Sequence, residues 1–195
     1  MKVKVCGITS AEDAAMCEEL GADALGFVHV VGRMRGRPLD QIAEMVTALG
    51  PMTTKVLVCA PESASQAEIM FDRTGVDMLQ LHSLDTEALD VLASHGVPVI
   101  RSVRPDREDA AKYAHHADIL LFEGGNPGTG SAYDYSIVPV DSCKRCIIAG
   151  GLTVENMDSA LRMRPYALDV SSGVERTPGR KDGLLVSEFI RRCKA

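Results

Sequence analysis

The 195-residue chain has no window of about 18 uncharged apolar residues, the least that a membrane-spanning helix needs. It has no run of like charges, and its formal net charge is −6. Both argue against nucleic acid or an anionic membrane surface as the main partner. Met1 leads directly into a strand-like stretch rather than a basic, then apolar, cleavable leader, so a cytoplasmic location is expected. The cysteines do not frame loops as in a small secreted scaffold. Cys6, Cys17, Cys59, Cys143, Cys146 and Cys193 are scattered through apolar segments and read as reduced thiols. Cys143 and Cys146 have CxxC spacing, but with no second CxxC and no nearby histidine pair, neither a metal nor a redox cofactor is expected.

What is present is a regular alternation. With 46% hydrophobic and 25% charged residues, the chain can bury one sizeable core, and one domain over residues 1–195 is the expectation. Eight apolar, β-rich runs are Val3 to Cys6, Ala24 to Val28, Lys55 to Cys59, Met78 to Leu81, Pro98 to Val103, Ile119 to Phe122, Cys146 to Ala149 and Ala167 to Val170. Amphipathic stretches separate them: Ala11 to Leu20, Leu39 to Leu49, Ser65 to Asp72, Thr86 to Ser94, Glu108 to His115 and Val154 to Arg162, with Leu184 to Cys193 after the last. Strict βα alternation implies a parallel sheet. Similar segments introduce the even strands, Gly21-Ala22-Asp23, Gly75-Val76-Asp77 and His116-Ala117-Asp118 among them, which suggests a repeated two-unit module closed into an α/β (β/α)8 TIM barrel. Their aspartates read as caps at the strand N-termini. A glycine-rich segment from Gly124 to Tyr135 is too short for a full helix and is expected to replace most of the helix after strand six. An open doubly wound sheet is disfavoured, since Cys6-Gly7-Ile8-Thr9 carries one glycine only.

In a barrel the strand C-termini form the catalytic face. That gathers Cys6, His29, Cys59, His82, Val103, Glu123, Ala149 and Ser171 around one mouth. Ala149-Gly150-Gly151-Leu152 and Asp169-Val170-Ser171-Ser172-Gly173-Val174 end the last two strands, where small residues let backbone N–H groups approach a phosphate. Gly150, Gly151, Ser171, Ser172 and Gly173 are the expected cradle. Cys6 at a mouth could act as a base if a nearby cation lowers its pKa, or it could be a small core residue. Asp169 in an apolar strand needs a partner for its charge.

Lys4-Val5-Cys6-Gly7-Ile8-Thr9 resembles the opening motif of the phosphoribosylanthranilate isomerase family of tryptophan biosynthesis. The likeness continues in order through Gly21 to Phe27, Gln80-Leu81-His82, Ala149 to Asn156, Arg164 to Glu175 and Pro178-Gly179-Arg180-Lys181-Asp182. The resemblance implies an Amadori rearrangement of N-(5-phosphoribosyl)anthranilate to 1-(2-carboxyphenylamino)-1-deoxyribulose 5-phosphate, by acid-base chemistry and without cofactor. It implies that Cys6 is the base, that Asp169 contacts the sugar or the anthranilate nitrogen, and that an arginine after strand two positions the substrate. Arg33, Arg35 and Arg37 are available for that arginine. Matching Leu39-Asp40-Gln41-Ile42 to the next helix favours Arg35. His82, with Gln80, is a substrate-binding candidate or a backbone-satisfied imidazole. The family's general acid is an aspartate at the end of strand six; this chain has Phe122-Glu123-Gly124 there, so Glu123 is the candidate, unless Phe122 is the equivalent position and the acid is missing. Two other outcomes stay open: a related phosphate-binding barrel with shifted substrate range, and a binding barrel without turnover. The expected partner is a sugar phosphate, with the chain a monomer or homodimer.

Overall fold

The computed structural model describes residues 1–124 and 131–195. Eight parallel strands, β1 (Lys2–Ile8), β2 (Ala24–His29), β3 (Thr54–Cys59), β4 (Met78–Leu81), β5 (Val99–Val103), β6 (Ile119–Glu123), β7 (Cys146–Ala149) and β8 (Ala167–Val170), hydrogen-bond in sequence order, and β8 closes on β1. Helices α1 (Ala11–Glu19), α2 (Leu39–Thr47), α3 (Ala64–Thr74), α4 (Thr86–Ser94) and α5 (Arg107–Tyr113) follow β1 to β5, and α6 (Met157–Arg162) follows β7. After β8 a short antiparallel pair, β9 (Glu175–Thr177) and β10 (Arg180–Lys181), precedes α7 (Gly183–Lys194). The glycine-rich segment expected after β6 falls largely on residues 125–130, outside the described residues; beyond it lies a single 3-10 turn, Tyr135–Ile137. Among the described residues no helix is long and apolar enough to cross a membrane.

Local chemistry accounts for the element boundaries. Ser10, Ser63, Asp85, Asp106 and Asp182 cap α1, α3, α4, α5 and α7 by accepting backbone N–H bonds from the first turn. Helix α6 begins at Met157 rather than Val154 because residues 153–156 are a turn: Asn156 Oδ1 accepts from Thr153 N at 2.8 Å while its Nδ2 donates to the Gly151 carbonyl at 2.8 Å. His29 ends β2 and meets the Arg37 carbonyl through Nδ1 at 2.9 Å.

Strand alternation sorts side chains into two cores. Outward residues such as Val3, Val5, Leu57, Cys59, Leu79, Leu81, Leu168 and Val170 pack against the helices. Inward, Val56, Ile100, Leu121, Ile147, Ala149 and Ala167 form a separate apolar plug in the barrel. Above that plug the inward positions turn polar: Lys4, Gln80 and Asp169, all buried, and then Cys6, His82 and Glu123 towards the C-terminal mouth. A filled floor beneath polar groups makes the barrel a cup.

The lead-in aspartates do what their position suggested, with a specific partner each. Asp23 accepts from Val3 N at 2.9 Å, Asp77 from Lys55 N at 2.8 Å and Asp118 from Val99 N at 2.9 Å. Each carboxylate that precedes an even strand therefore caps the odd strand before it, which is the physical content of the two-strand repeat. The segment before β8 has no aspartate; there Tyr166 N donates to the Cys146 carbonyl of β7, and Lys2 N of β1 donates to the Tyr166 carbonyl at the closure. Replacing Asp118 by Ala strands the Val99 N–H. Expected is a loss of about 1–3 kcal/mol in urea unfolding with kcat/KM unchanged, since the contact lies at the end opposite the mouth.

Candidate active site

The mouth encloses a cavity of about 490 Å³ lined by Cys6, Arg35, His82, Glu123, Gly150, Gly151, Asp169, Ser171 and Ser172. The structure thus brings nine of the ten site residues expected from sequence onto one surface. Gly173 is the exception. It forms an isolated bridge with Thr153, and a Cβ on it would lie 1.9 Å from the Leu152 carbonyl oxygen, so its glycine is required to join the β7 and β8 loops.

Cys6 owes its place to the strand alternation, which sets it inward on the same face as Lys4. Lys4 Nζ donates to Asp169 Oδ1 at 2.8 Å across the β1–β8 seam, with both side chains buried, and its charge lies beside the Cys6 sulfur. Burial works against the Lys4 charge, yet Asp169 and Cys6 hold its pKa above the usual amine range. The thiol itself does not follow the expectation of a cation-lowered pKa. Burial pushes Cys6 up, and the pull of Lys4 in the other direction does not offset it. Asp169 is likewise raised by burial against the attraction of Lys4. The Cys6 thiol therefore keeps its proton to a higher pH than an ordinary thiol.

Close approach governs the surroundings. At Gly26 a Cβ would sit 2.7 Å from Cys6 Sγ and 3.1 Å from Lys4 Nζ. At Gly7, with φ +75°, a Cβ would meet Arg35 Cδ at 2.5 Å and Ser171 Oγ at 2.8 Å. The chain beside the thiol is bare so that the β2 loop and the β8 loop can meet over it.

Of the three arginines, Arg33 and Arg35 line the cavity. Arg37 spends its guanidinium on the carbonyls of Thr9, Met34 and Gly36 and builds the loop. Arg35 is held by Glu175 through Nε at 2.8 Å and Nη2 at 2.7 Å. His82 is pushed down to about 4 by burial, helped by Arg101, Lys4 and Arg33, so it is a neutral imidazole at neutral pH. Glu123 ends β6, in register with Ala149, with its side chain at the cavity wall near Gly150.

The β7 loop is a shaped turn. Gly150 and Gly151 both have positive φ, 92° and 64°. Tyr135 Oη donates to the Gly150 carbonyl at 2.7 Å and Asn156 holds that of Gly151, so both peptide planes are fixed from behind. Three residues of this site, Lys4, Glu175 and Lys181, stand inside the family-like motifs without an expected role. A lysine alternating with valines on the face of Cys6 is a signal that a buried partner must exist, whereas the partners of Glu175 and Lys181 include residues 140 and 175 positions away.

Substituting Gly26 by Ala displaces the Cys6 sulfur and crowds the Lys4 ammonium. Turnover is expected to fall by about tenfold or more, in line with the cost of misplacing a reacting group by an ångström, while the circular dichroism spectrum keeps its native form.

The model of the N-(5'-phosphoribosyl)anthranilate (PRA) isomerase family matches residues 3–192. The N-(5'-phosphoribosyl)anthranilate isomerase of Pseudomonas aeruginosa (strain LESB58) is 38% identical over 199 residues, covering 97% of this chain and 93% of the relative. Among solved structures, the phosphoribosyl anthranilate isomerase from Thermus thermophilus superposes with a TM-score of 0.91 at 34% identity, covering 100% of this chain and 98% of the other. A phosphoribosyl anthranilate isomerase in complex with reduced 1-(o-carboxyphenylamino)-1-deoxyribulose 5-phosphate gives a TM-score of 0.88 at 31% identity, with the same coverage. From end to end, the chain belongs to the N-(5'-phosphoribosyl)anthranilate isomerase family.

Proposed function

We propose that this chain carries out the aldose-to-ketose rearrangement of N-(5-phosphoribosyl)anthranilate with Cys6 as general base and Glu123 as general acid, and that the two ends of the substrate are anchored on either side of β1. The isomerase activity in tryptophan biosynthesis follows from family membership. The residue roles rest on one observation above the others: a thiol, a carboxyl group and separate anchors for two anions line the same cup.

The order of strands around the barrel suits a substrate with an anion at each end. The β7 and β8 loops carry Gly150, Gly151, Ser171 and Ser172, and these are assigned to the phosphate. The β2 loop carries Arg35, assigned to the anthranilate carboxylate. Cys6 on β1 lies between β8 and β2, so a sugar stretched from one anchor to the other passes over its sulfur. Asp169 is assigned to the anthranilate nitrogen or a sugar hydroxyl, and His82 to a neutral hydrogen bond on the opposite wall.

Glu123 in its protonated form donates to the furanose ring oxygen as the C1–O bond breaks, leaving the C1=N iminium of the open chain. The Cys6 thiolate then removes the proton from C2, and the C2–H electron pair moves into the new C1=C2 bond as the C=N electrons return to nitrogen. The resulting enaminol gains a proton at C1 and loses one from the C2 hydroxyl, giving the ketose. Glutamate replaces the family's aspartate one methylene further from the backbone; its acid chemistry is the same and its reach is longer. No step requires a cofactor.

Loss of either group should cost about 10²- to 10⁴-fold in kcat, the usual share of general acid-base catalysis, for Cys6→Ala and for Glu123→Gln, followed by the decay of anthranilate-type fluorescence. Because the Cys6 pKa lies above its ordinary value, the active thiolate fraction grows with pH. In the Glu123→Gln variant, which has no acid to titrate, the residual kcat/KM should climb from pH 7 into the mildly alkaline range. A flat residual profile there, or a Glu123→Gln variant with wild-type turnover, would place the base or the acid elsewhere.

A further inference from the structure

Lys181 is the most thoroughly buried cation outside the barrel interior, with a side chain 0% exposed. Its Nζ donates to the Cys6 carbonyl at 2.7 Å, to the Ser171 carbonyl at 3.1 Å and to Glu175 Oε1 at 3.0 Å. Three acceptors complete the donor capacity of an ammonium. Glu175, 4% exposed, takes in addition the two bonds from Arg35 and one from Gly179 N at 3.1 Å. Both residues sit on the β9–β10 hairpin, which the Lys181 N–H to Asp13 Oδ2 bond pins to α1.

We propose that Glu175 and Lys181 are positioning residues that aim Arg35 at the ring carboxylate of the substrate. The proposal rests on the assignment of Arg35 made above. Glu175 occupies the Nε–Nη2 edge of the guanidinium, which leaves the Nη1–Nη2 edge to meet a second carboxylate in the same plane. Arg35, Glu175 and Lys181 together carry one surplus positive charge, matched by one carboxylate. The route from Arg35 through Glu175 and Lys181 to the Cys6 carbonyl consists of hydrogen bonds of 2.7 to 3.0 Å. Base and carboxylate anchor therefore belong to one rigid frame although they come from β1 and the β2 loop. Burial would raise Glu175, but Arg35 and then Lys181 and the Gly179 N–H hold it below the usual carboxylate range, so the clamp is charged throughout the working pH range. Without Glu175 two cations would face each other across a buried seam.

The test is titration of Glu175→Gln with the reduced 1-(2-carboxyphenylamino)-1-deoxyribulose 5-phosphate analogue and separately with inorganic phosphate, alongside kcat and KM, with Arg35→Ala as reference. Expected for Glu175→Gln is about tenfold or more weaker analogue binding and a matching rise in KM, with phosphate affinity and kcat each within about threefold of wild type. A purely structural role would weaken both ligands together and lower kcat, and that result, like unchanged analogue binding, would overturn the proposal. Should the glutamine variant fail to fold, Glu175→Asp keeps the charge while shortening the arm, and the same selective loss is expected; wild-type analogue binding in it would count against the proposal. If Arg35→Ala binds the analogue as wild type does, the assignment of Arg35 itself fails; if Arg35→Ala loses affinity and Glu175→Gln does not, only the positioning role fails.

Discussion

An ammonium and a carboxylate inside the barrel, Lys4 and Asp169 at 2.8 Å, are the contact on which the rest of the site depends. Each would be costly alone in that position, and removing one partner from a buried pair typically costs about 3–5 kcal/mol. Together they join β1 to β8 at the seam where the barrel closes. They also place a fixed positive charge beside the sulfur of Cys6, the base proposed above. Closure of the fold and the electrostatics of that thiol thus draw on the same pair.

The apolar plug beneath explains why this arrangement is confined to one end. Val56, Ile100, Leu121, Ile147 and Ala167 fill the barrel below, which shuts out water and leaves polar inward positions only towards the mouth. Burial raises the Cys6 and Asp169 pKa values and lowers that of His82. The same loss of solvent strengthens each contact that a bound anion would make. Glycines at 7, 26 and 151 let the chain around this cup approach its neighbours at distances that a side chain would forbid.

Much of this was legible in the sequence. Apolar, β-rich runs placed all eight strands within a few residues, because strands buried by helices on one face and a plug on the other read as nearly continuous apolar stretches. The lead-in aspartates could be placed at strand starts, but their targets, N–H groups of the neighbouring strand about 20 residues away, are a property of closure. Motif order led to Cys6, Asp169 and the glycine turns. The direction of the thiol's pKa shift was not legible, since it depends on how deeply residue 6 is buried relative to the charge beside it. Nor was Gly173's packing role, which follows from the contact of two loops. Arg35 could be singled out only by counting back from α2, while its clamp, Glu175, lies at the far end of the chain.

Lys4 lowers the pKa of Cys6 against the larger, opposite effect of burial. The most direct measurement is the rate of Cys6 alkylation by iodoacetamide as a function of pH, followed by peptide mass mapping, in wild type and in Lys4→Met. With Lys4 present, the titration should lie above that of an ordinary thiol. With Lys4 replaced, it should move higher still, and alkylation should slow at every pH in the working range. Superimposable curves for the two proteins would contradict the claim and leave Lys4 as a partner of Asp169 alone.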